Sequence, residues 1–324
     1  KYQSHQTWNR RSNACASAPS AMEDTRSQSR RCRTLGASLP TCTREGSGDG
    51  CIPAAKLQGM WAYSDHRGQL SLLFATDLDN TLLFSKKHRK PGDHCVEWLD
   101  GKEQGYFSTE TIRLLRLIAA RAEIIPITTR SIAQYQRIVW PKGCRPRRAI
   151  TTNGAYLFED NTPVPAWREA MRASAEDYAE ICRQLARYKT DTRFRRCRIV
   201  DTSYLFLYCK DDVAIAKTAA ELQSTTSLKV EPSGSKIYLL PRGLNKGAAF
   251  RRLKAACSKN IVRTFAAGDT PMDLPMLQEA DCGFYPHKAV GAKGLCIWNG
   301  KEHYAEWLLQ KVLEALKRLQ SPAL

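Results

Sequence analysis

The sequence predicts an α/β protein in which a doubly wound parallel sheet carries an inserted α+β segment. Short apolar runs that end in polar or acidic residues recur within residues 70–165 and 241–300, as in buried parallel strands. Amphipathic helical patterns alternate with these runs. Residues 166–240 instead combine helices with alternating strands, which indicates a separate unit.

The N-terminal part of the predicted sheet comes from three apolar segments, LSLLFAT, AEIIPITT and RRAITTNGAYLF. The last of them turns at Asn153-Gly154, a dipeptide typical of hairpins. Ser108 has the position and chemistry of a helix N-cap. Before it lies a polar, basic stretch, residues 86–105, which we expect to fold over the entrance to a site.

The inserted segment begins with a helical pattern over residues 167–188 and continues with a strand over residues 197–209. A second helix in DDVAIAKTAAELQ and two short strands, LKVEP and SKIYLLP, complete it. The sheet resumes afterwards, with a helix in NKGAAFRRLKAAC, strands in VRTFAAGD and GLCIW, and an amphipathic helix in EHYAEWLLQKVLEALKRL.

Residues 1–67 contain no sustained apolar period and are rich in Ser, Arg, Thr, Ala and Gly. We predict that they are disordered, or that they form a non-native extension before a natural start near Met60. A transit peptide is the alternative, because such segments are rich in Arg and Ser. The sequence shows neither the apolar run of a secretory signal nor one long enough for a membrane helix.

Cysteine usage and charge limit the location and the partners. The 12 cysteines include no CxxC pair, which argues against a zinc ribbon and favours free thiols in a reducing compartment, the cytoplasm. The formal net charge of +18 attracts anions, whether phosphorylated metabolites, nucleic acid or acidic surfaces. No RRM, KH, helix-turn-helix or zinc-finger pattern is present, so nucleic acid is not the expected partner.

Two carboxylates follow the first predicted strand, in the segment Asp77-Leu78-Asp79-Asn80-Thr81. Ligands of open α/β sheets bind beyond the carboxyl ends of the strands. There, Asp77 can attack phosphorus and form an aspartyl-phosphate, and Asp79 can exchange protons with the leaving oxygen and with water. The alternative is an ordinary Asx turn.

Three further segments place polar groups at the end of a predicted strand or at the start of a predicted helix. Thr128 ends the next strand and can donate to a phosphoryl oxygen, although Thr is also an ordinary strand residue. Lys246 starts a helix, where its charge opposes the helix dipole unless an anion faces it; the alternative is a solvated surface lysine. Asp269 and Asp273 follow another strand and offer the oxygen ligands that Mg2+ prefers, or Asp273 caps a helix.

In this order, the motifs DxDxT, hydroxyl, Lys and GDxxxD resemble the signature of the haloacid dehalogenase-like (HAD) superfamily of phosphohydrolases. The segments ATDLDNTLLF, IPITTR, TTNGAYLF, YLLPRGLNKGAAF and AAGDTPMDLPML are similar to its Cof-type, sucrose-phosphatase-like and mannosyl-3-phosphoglycerate-phosphatase-like branch. The resemblance covers about residues 70–300. It implies a Rossmann-like core over residues 68–165 and 241–324, with residues 166–240 as a cap that closes over the site.

The resemblance also implies a role for each motif residue in a Mg2+-dependent hydrolysis of a small phosphorylated substrate. Asp77 would be the nucleophile and a metal ligand, and Asp79 the general acid/base, with its backbone carbonyl on the metal. Thr128 would hold the phosphoryl group and Lys246 would neutralise charge. Asp269 would bind the metal, with Asp273 helping directly or through water. Three positions depart from the usual pattern without removing a catalytic group: Asn80, Thr129 and Met272.

Substrate selection is expected to depend on the basic cap and on two motif residues. The candidate specificity residues are Arg130, Asn153, Arg195 and Arg196. The basic cap suggests a substrate with more negative charge than one phosphate, unless its cations only form a solvated face. Rival functions are another reaction of the same superfamily, such as a phosphomutase or a dehalogenase, a basic nucleic-acid-binding protein, and a catalytically silent regulatory member.

Overall fold

The computed structural model describes residues 71–257, 261–287, 294–301 and 303–320, so the predictions for residues 1–67 lie outside the described residues. A five-stranded sheet is central, and all its neighbouring strands are parallel. Its strands are β1 (Ser71–Thr76), β5 (Glu123–Pro126), β13 (Ile261–Ala267), β14 (Cys282–Tyr285) and β15 (Leu295–Ile297). They are ordered β15-β14-β13-β1-β5. β14, in the segment CGFY, was missed by the sequence analysis.

Helices cover both faces of this sheet, which confirms the doubly wound α/β prediction. The alternation of β1 sends Phe74 to one face and Leu73 and Ala75 to the other. Helices α1 (Thr109–Ala119) and α8 (Tyr304–Gln320) pack on the Phe74 face, and helices α6 (Lys246–Ala256) and α7 (Leu274–Gln278) on the opposite one. Ser108 caps α1 as predicted, because its hydroxyl accepts the amide of Thr111 at 3.0 Å.

The polar stretch that follows β1 contains a small antiparallel sheet. Its strands are β2 (Phe84–Ser85), β3 (His94–Leu99) and β4 (Lys102–Phe107), ordered β2-β4-β3. The connection between β3 and β4 is Asp100-Gly101, and both residues have positive φ, 50° and 72°. This dipeptide is a hairpin signal that the overall polarity of the stretch concealed.

A second small antiparallel sheet follows the short helix α2 (Ile132–Gln136) and consists of β6 (Arg148–Thr151), β7 (Tyr156–Glu159) and β8 (Thr162–Pro163). The chain reverses between β6 and β7 at residues 152–154, with Asn153 at φ 56°. The predicted hairpin at Asn153-Gly154 is therefore confirmed.

The predicted cap, residues 166–240, is called the cap below, and a four-stranded antiparallel sheet lies in it. The elements of this part of the chain are α3 (Pro165–Met171), α4 (Ala175–Tyr188), β9 (Phe194–Val200), β10 (Tyr204–Cys209), α5 (Ile215–Gln223), β11 (Lys229–Ser233) and β12 (Lys236–Leu240). The strands are ordered β11-β12-β10-β9. Helices α4 and α5 share one apolar cluster with the inner face of this sheet.

Two of the cap predictions were wrong in detail. The single helix over residues 167–188 is two helices, because Ser174 accepts the amide of Asp177 at 3.0 Å and starts α4. The single strand over residues 197–209 is two strands, joined by a turn in which Asp201 and Thr202 have φ 42° and 51°. Asp is enriched at positive φ but Thr is not, so this dipeptide is a weak signal for a reversal.

None of the helices in the described ranges combines the length and the apolar character needed to span a membrane. The domain boundaries at residues 68–165, 166–240 and 241–324 stay a prediction.

Candidate active site

The strand-end motifs converge at the carboxyl edge of the parallel sheet. Asp77 follows β1, and its amide donates to the carbonyl of Ala267, the last residue of the neighbouring β13, at 2.8 Å. The Nζ of Lys246, at the start of α6, lies 2.5 Å from a carboxylate oxygen of Asp77 and 2.5 Å from one of Asp273. The lysine is only 2% exposed. It is therefore a buried cation held between two carboxylates, not a solvated surface lysine.

Asp273 organises the loop that follows β13. Its second carboxylate oxygen accepts hydrogen bonds from the amides of Asp269 (3.1 Å) and Thr270 (2.9 Å), and from the Thr270 hydroxyl (2.9 Å). The bonds with Thr270 form a capping box of the 3-10 turn Pro271–Asp273, but the side chain makes no capping hydrogen bond to α7, and capping does not explain the contact of its other oxygen with Lys246. With both oxygens engaged, Asp273 holds Lys246 and the Asp269 backbone in place.

A divalent cation fits the oxygen atoms of this cluster. One carboxylate oxygen from each of Asp77, Asp269 and Asp273 lies within 4.8 Å of the other two. Mg2+ prefers a small number of carboxylate ligands and retains positions for water and phosphate. Lys246 lies within hydrogen-bond distance of Asp77 and Asp273, and its single positive charge offsets only part of the charge of the three carboxylates. The remaining negative charge suits a divalent ion.

The excess charge also changes the acidity of the cluster. Burial raises the pKa of Asp77, Lys246 offsets part of this rise, and the charges of Asp273, Asp269 and Asp79 bring the value to about 8. Burial and the charge of Asp273 raise the pKa of Asp269 to about 7, although Lys246 and Thr81 act in the opposite direction. Without a metal, the cluster therefore holds protons near neutral pH.

Added Mg2+ should stabilise the protein more strongly as the pH rises. The folded-state pKa values of about 7 and 8 lie above the usual value of 3.8, so the metal-free protein loses stability as pH rises from about 4 to about 8. Metal binding removes this penalty and competes with protons. We expect the rise in Tm on adding millimolar Mg2+ to increase between about pH 6 and pH 9. Sodium chloride at matched ionic strength is the control, and a pH-independent rise would contradict the expectation.

Asp79 is paired with Arg130, one of the candidate specificity residues. The guanidinium donates from Nε to one Asp79 oxygen at 2.9 Å and from its terminal nitrogen to the other at 2.7 Å. Burial alone would raise the pKa of Asp79, but the charge and hydrogen bonds of Arg130 outweigh it and lower the pKa below its usual value. The structure thus places Arg130 directly beside the predicted acid/base.

Arg130 also connects this site to the small sheet after β1. The same terminal nitrogen lies 2.8 Å from Glu97 of β3, and Arg137 lies 2.7 Å from the other oxygen of Glu97. Glu97 is only 2% exposed, so two arginines compensate a buried carboxylate. The sequence analysis missed Glu97, because nothing local in the sequence marks it as buried.

The other two motif residues lie at the same edge. Thr128 is fully buried, and its hydroxyl oxygen accepts a hydrogen bond from the backbone amide of Arg130 at 3.2 Å. Its O–H group remains a potential donor to substrate. Asn153 is also buried, and its amide donates to the carbonyl of Leu244 at 3.2 Å. Asn153 therefore ties the β6–β7 turn to the segment that precedes Lys246.

The turn between β9 and β10 brings the cap into contact with these loops. A carboxylate oxygen of Asp201 accepts the amide of Ile132 at 2.9 Å and the hydroxyl of Thr152 at 2.5 Å. The hydroxyl of Tyr204 donates to the carbonyl of Thr129 at 2.7 Å. Neither cap residue was a candidate from the sequence, since both bonds join segments far apart in the chain.

The two remaining candidates, Arg195 and Arg196, lie at the far end of β9. The register shifts there, because Cys209 pairs with Phe194 while Tyr208 pairs with Arg196, which leaves Arg195 as the extra residue of a bulge. Arg195 pairs with Asp211 at 2.5 Å. Arg196 is exposed. The role of these two arginines in specificity stays a prediction.

The three departures from the motif pattern fit their positions. Asn80 has φ 58°, a conformation that Asn tolerates nearly as well as Gly. Met272 is buried in an apolar cluster with Ala155 and Leu244. Thr129 supplies the carbonyl that Tyr204 binds.

Comparison with known proteins agrees with this geometry. A family model described as haloacid dehalogenase-like hydrolase matches residues 183–289. The search of curated proteins returned no match.

Solved structures share the fold at low sequence identity. The sucrose-phosphatase of Synechocystis sp. PCC6803 has a TM-score of 0.53 at 14% identity, over 79% of this chain and 100% of that one. A protein of Thermoplasma acidophilum has a TM-score of 0.51 at 14% identity, over 77% and 99%. The C-terminal domain of the C. albicans trehalose-6-phosphate phosphatase has a TM-score of 0.50 at 13% identity, over 83% and 99%. Residues 183–289 are thus similar to the haloacid dehalogenase-like hydrolase family, and the chain shares its fold with these solved structures.

Proposed function

We propose that the protein is a Mg2+-dependent phosphatase that hydrolyses a phosphomonoester through an aspartyl-phosphate on Asp77. One observation carries the proposal: Lys246 is buried between the carboxylates of Asp77 and Asp273 at the carboxyl edge of the parallel sheet. A purely structural ion pair would not require a third carboxylate, Asp269, or a second acid, Asp79, on the same turn as Asp77.

The proposed reaction uses two carboxylates in succession. An oxygen of Asp77 attacks phosphorus, the phosphorus–ester oxygen bond breaks, and Asp79 gives its proton to the departing oxygen. Asp79 then takes a proton from water, whose oxygen attacks the acyl phosphate and releases phosphate and free Asp77. Arg130 must loosen its two hydrogen bonds to Asp79 for this exchange, because the pair stabilises the ionised carboxylate.

The other residues stabilise the charge of the transferring group. Lys246 and the O–H of Thr128 would bind phosphoryl oxygens. Asp77, Asp269 and the backbone carbonyl of Asp79 would hold Mg2+, with Asp273 acting directly or through water. When bound, the ion would neutralise charge on the phosphoryl group.

The proposed substrate is a small phosphorylated metabolite, and a phosphorylated sugar is the first class to test. The sucrose-phosphatase and the trehalose-6-phosphate phosphatase that share the fold motivate this choice. A cytoplasmic location is part of the proposal. Eight cysteines within the described residues are free thiols, which is compatible with a reducing compartment.

The test is phosphate release from p-nitrophenyl phosphate and a panel of sugar phosphates, with Mg2+ or with EDTA. We expect turnover that requires Mg2+ and that falls by about a thousandfold or more in Asp77→Asn. The matched control is Asp160→Asn, since Asp160 is exposed and Asn tolerates its left-handed backbone. Undiminished turnover in Asp77→Asn would show that Asp77 is not the nucleophile.

The alternative of a basic nucleic-acid-binding or regulatory protein has a separate test. It would show no turnover on the panel, together with nucleic-acid affinity that falls steeply as salt concentration rises. The buried carboxylate cluster favours the phosphatase, because a surface that binds phosphate backbones has no need of three converging Asp residues.

A further inference from the structure

One face of the cap sheet carries cations and aromatic rings instead of packing on the cap helices. The alternation of the strands sends Leu205, Leu207 and Leu239 inward to the cluster with α4 and α5. The opposite face, which we call the cap face, contains Arg196, Arg198, Tyr204, Phe206, Lys236 and Tyr238.

The cap face continues directly into the carboxyl edge of the parallel sheet, which carries Asp77, Asp79 and Lys246 and is called the catalytic edge below. The Tyr204 ring lies 5.8 Å from the Tyr238 ring, and the Tyr238 ring lies 5.5 Å from that of Phe206. Tyr204 is the residue bound to the carbonyl of Thr129. Tyr238 is buried against Tyr204, so the aromatic row begins next to the segment that contains Thr129 and Arg130. Phe206, which is less buried, extends the aromatic row away from the catalytic residues.

Two cations flank this row. In the strand register, Phe206 stands between Arg198 on β9 and Tyr238 on β12. The guanidinium carbon of Arg198 lies 5.5 Å from the centre of the Phe206 ring. Lys236 lies two residues before Tyr238 on the same strand face. Gln134, which accepts a hydrogen bond from Arg198, also accepts one from Arg130 through its carbonyl at 3.2 Å, so Arg198 lies near the pair formed by Arg130 and Asp79.

These cations differ from those of the catalytic edge in having no carboxylate partner. Arg130 pairs with Asp79 and Glu97, and Lys246 pairs with Asp77 and Asp273. Across the described ranges, neither Arg198 nor Lys236 forms an ion pair. The Nε atom of Arg198 is buried without a hydrogen-bond partner, and the one bond of its terminal nitrogen, to Gln134, is long at 3.5 Å.

We infer that Arg198 and Lys236 form an anion subsite, which binds a second negatively charged group on the leaving portion of the phosphomonoester. The inference rests on the proposed function and names the substrate class, a monoester with a further carboxylate or phosphate. A buried guanidinium nitrogen without an acceptor costs free energy that an anionic oxygen would recover. The Phe206 ring, beneath Arg198, offers an apolar surface to the carbon skeleton that joins the two anions.

The test measures dissociation constants by calorimetry in the Asp77→Asn background with Mg2+, so that turnover is not needed. Glucose 6-phosphate is compared with glucose 1,6-bisphosphate and with 6-phosphogluconate, and fructose 6-phosphate with fructose 1,6-bisphosphate. These comparisons separate a phosphate from a carboxylate as the second anion. At least one doubly charged probe should bind about ten- to a hundredfold more tightly than its reference.

The variants assign this preference to the cap face. Arg198→Ala and Lys236→Ala should each reduce the ratio of dissociation constants about tenfold, and Arg198→Lys should retain part of it. The matched control is Arg187→Ala, which removes an exposed charge from α4, on the other side of the cap sheet, and should leave the ratio unchanged.

Two outcomes would overturn the inference: equal affinity within every pair of probes, or a preference that all three cap-face variants retain. Failure of the proposed function appears in a different measurement. In that case phosphate release would be absent or would persist in Asp77→Asn, whatever the affinities of the probes.

Discussion

Lys246→Met is expected to remove turnover and to destabilise the protein. The substitution keeps the length of the side chain but leaves the buried carboxylates of Asp77 and Asp273 without the cation that both contact at 2.5 Å. Breaking a buried pair on one side costs about 3–5 kcal/mol in unfolding free energy. Loss of the charge opposite the phosphoryl group should lower kcat/KM by about a thousandfold or more.

The loss of stability should depend on pH. With Lys246 present, the pKa of Asp77 is about 8, and the lysine lowers it, so the Asp77 carboxyl of Lys246→Met should hold its proton to a higher pH. At pH 6 this carboxyl is protonated in both proteins and its share of the deficit should be small. Above about pH 8 only the wild type ionises Asp77 with a cation beside it, so the deficit should grow as the pH rises. Urea unfolding of the metal-free protein at pH 6 and pH 9 measures this difference.

Lys254→Met is the matched control for this experiment. Lys254 lies two turns further along α6, is partly exposed, and pairs with Glu279. Its replacement should change the unfolding free energy by less than about 1 kcal/mol and leave turnover intact. If Lys246→Met behaves like this control, Lys246 is neither a structural nor a catalytic cation.

The catalytic edge could be predicted because each of its residues follows a recognisable local pattern. Asp77 and Asp269 both come after apolar strands, and parallel strands bring their carboxyl ends to one edge of a sheet. Lys246 was informative for a different reason, since the charge of a lysine at the positive end of a helix is unfavourable unless an anion faces it, although a solvated surface lysine was the alternative. The structure supplies two, Asp77 and Asp273.

The cap could be predicted less completely because its side-chain directions depend on register. Arg195 and Arg196 looked alike in the sequence, but Arg196 shares a strand face with Arg198, whereas Arg195 is the extra residue of a bulge and pairs with Asp211. The turn at Asp201 and Thr202 lacks the Gly or Asn that normally marks a left-handed backbone. Such features follow from pairing between strands and have no local signature.

Gly268→Ala is the second substitution with a large expected effect, because a Cβ atom there has no space. It would lie 2.3 Å from the Cβ and 2.5 Å from the Cγ of Asp273. Asp273 is fully buried and held by Lys246, Thr270 and the amide of Asp269, so it cannot move aside without breaking those bonds. We expect a loss of about 2–3 kcal/mol in unfolding free energy and at least about a hundredfold in kcat/KM.

Gly243→Ala is the control, since a Cβ atom at this position would have no neighbouring atom within 4 Å and the φ of Gly243 is not positive. It should be neutral or slightly stabilising, by less than about 1 kcal/mol. The double variant Gly268→Ala/Asp273→Gly then identifies the cause, because only Gly at position 273 removes the Cβ atom that the new methyl group would meet. If the methyl group acts only by displacing Asp273, the double variant should be no less stable than Asp273→Gly alone, and the two effects will not add. Additive losses would instead mean that the methyl group at position 268 disturbs the loop through contacts other than those with Asp273.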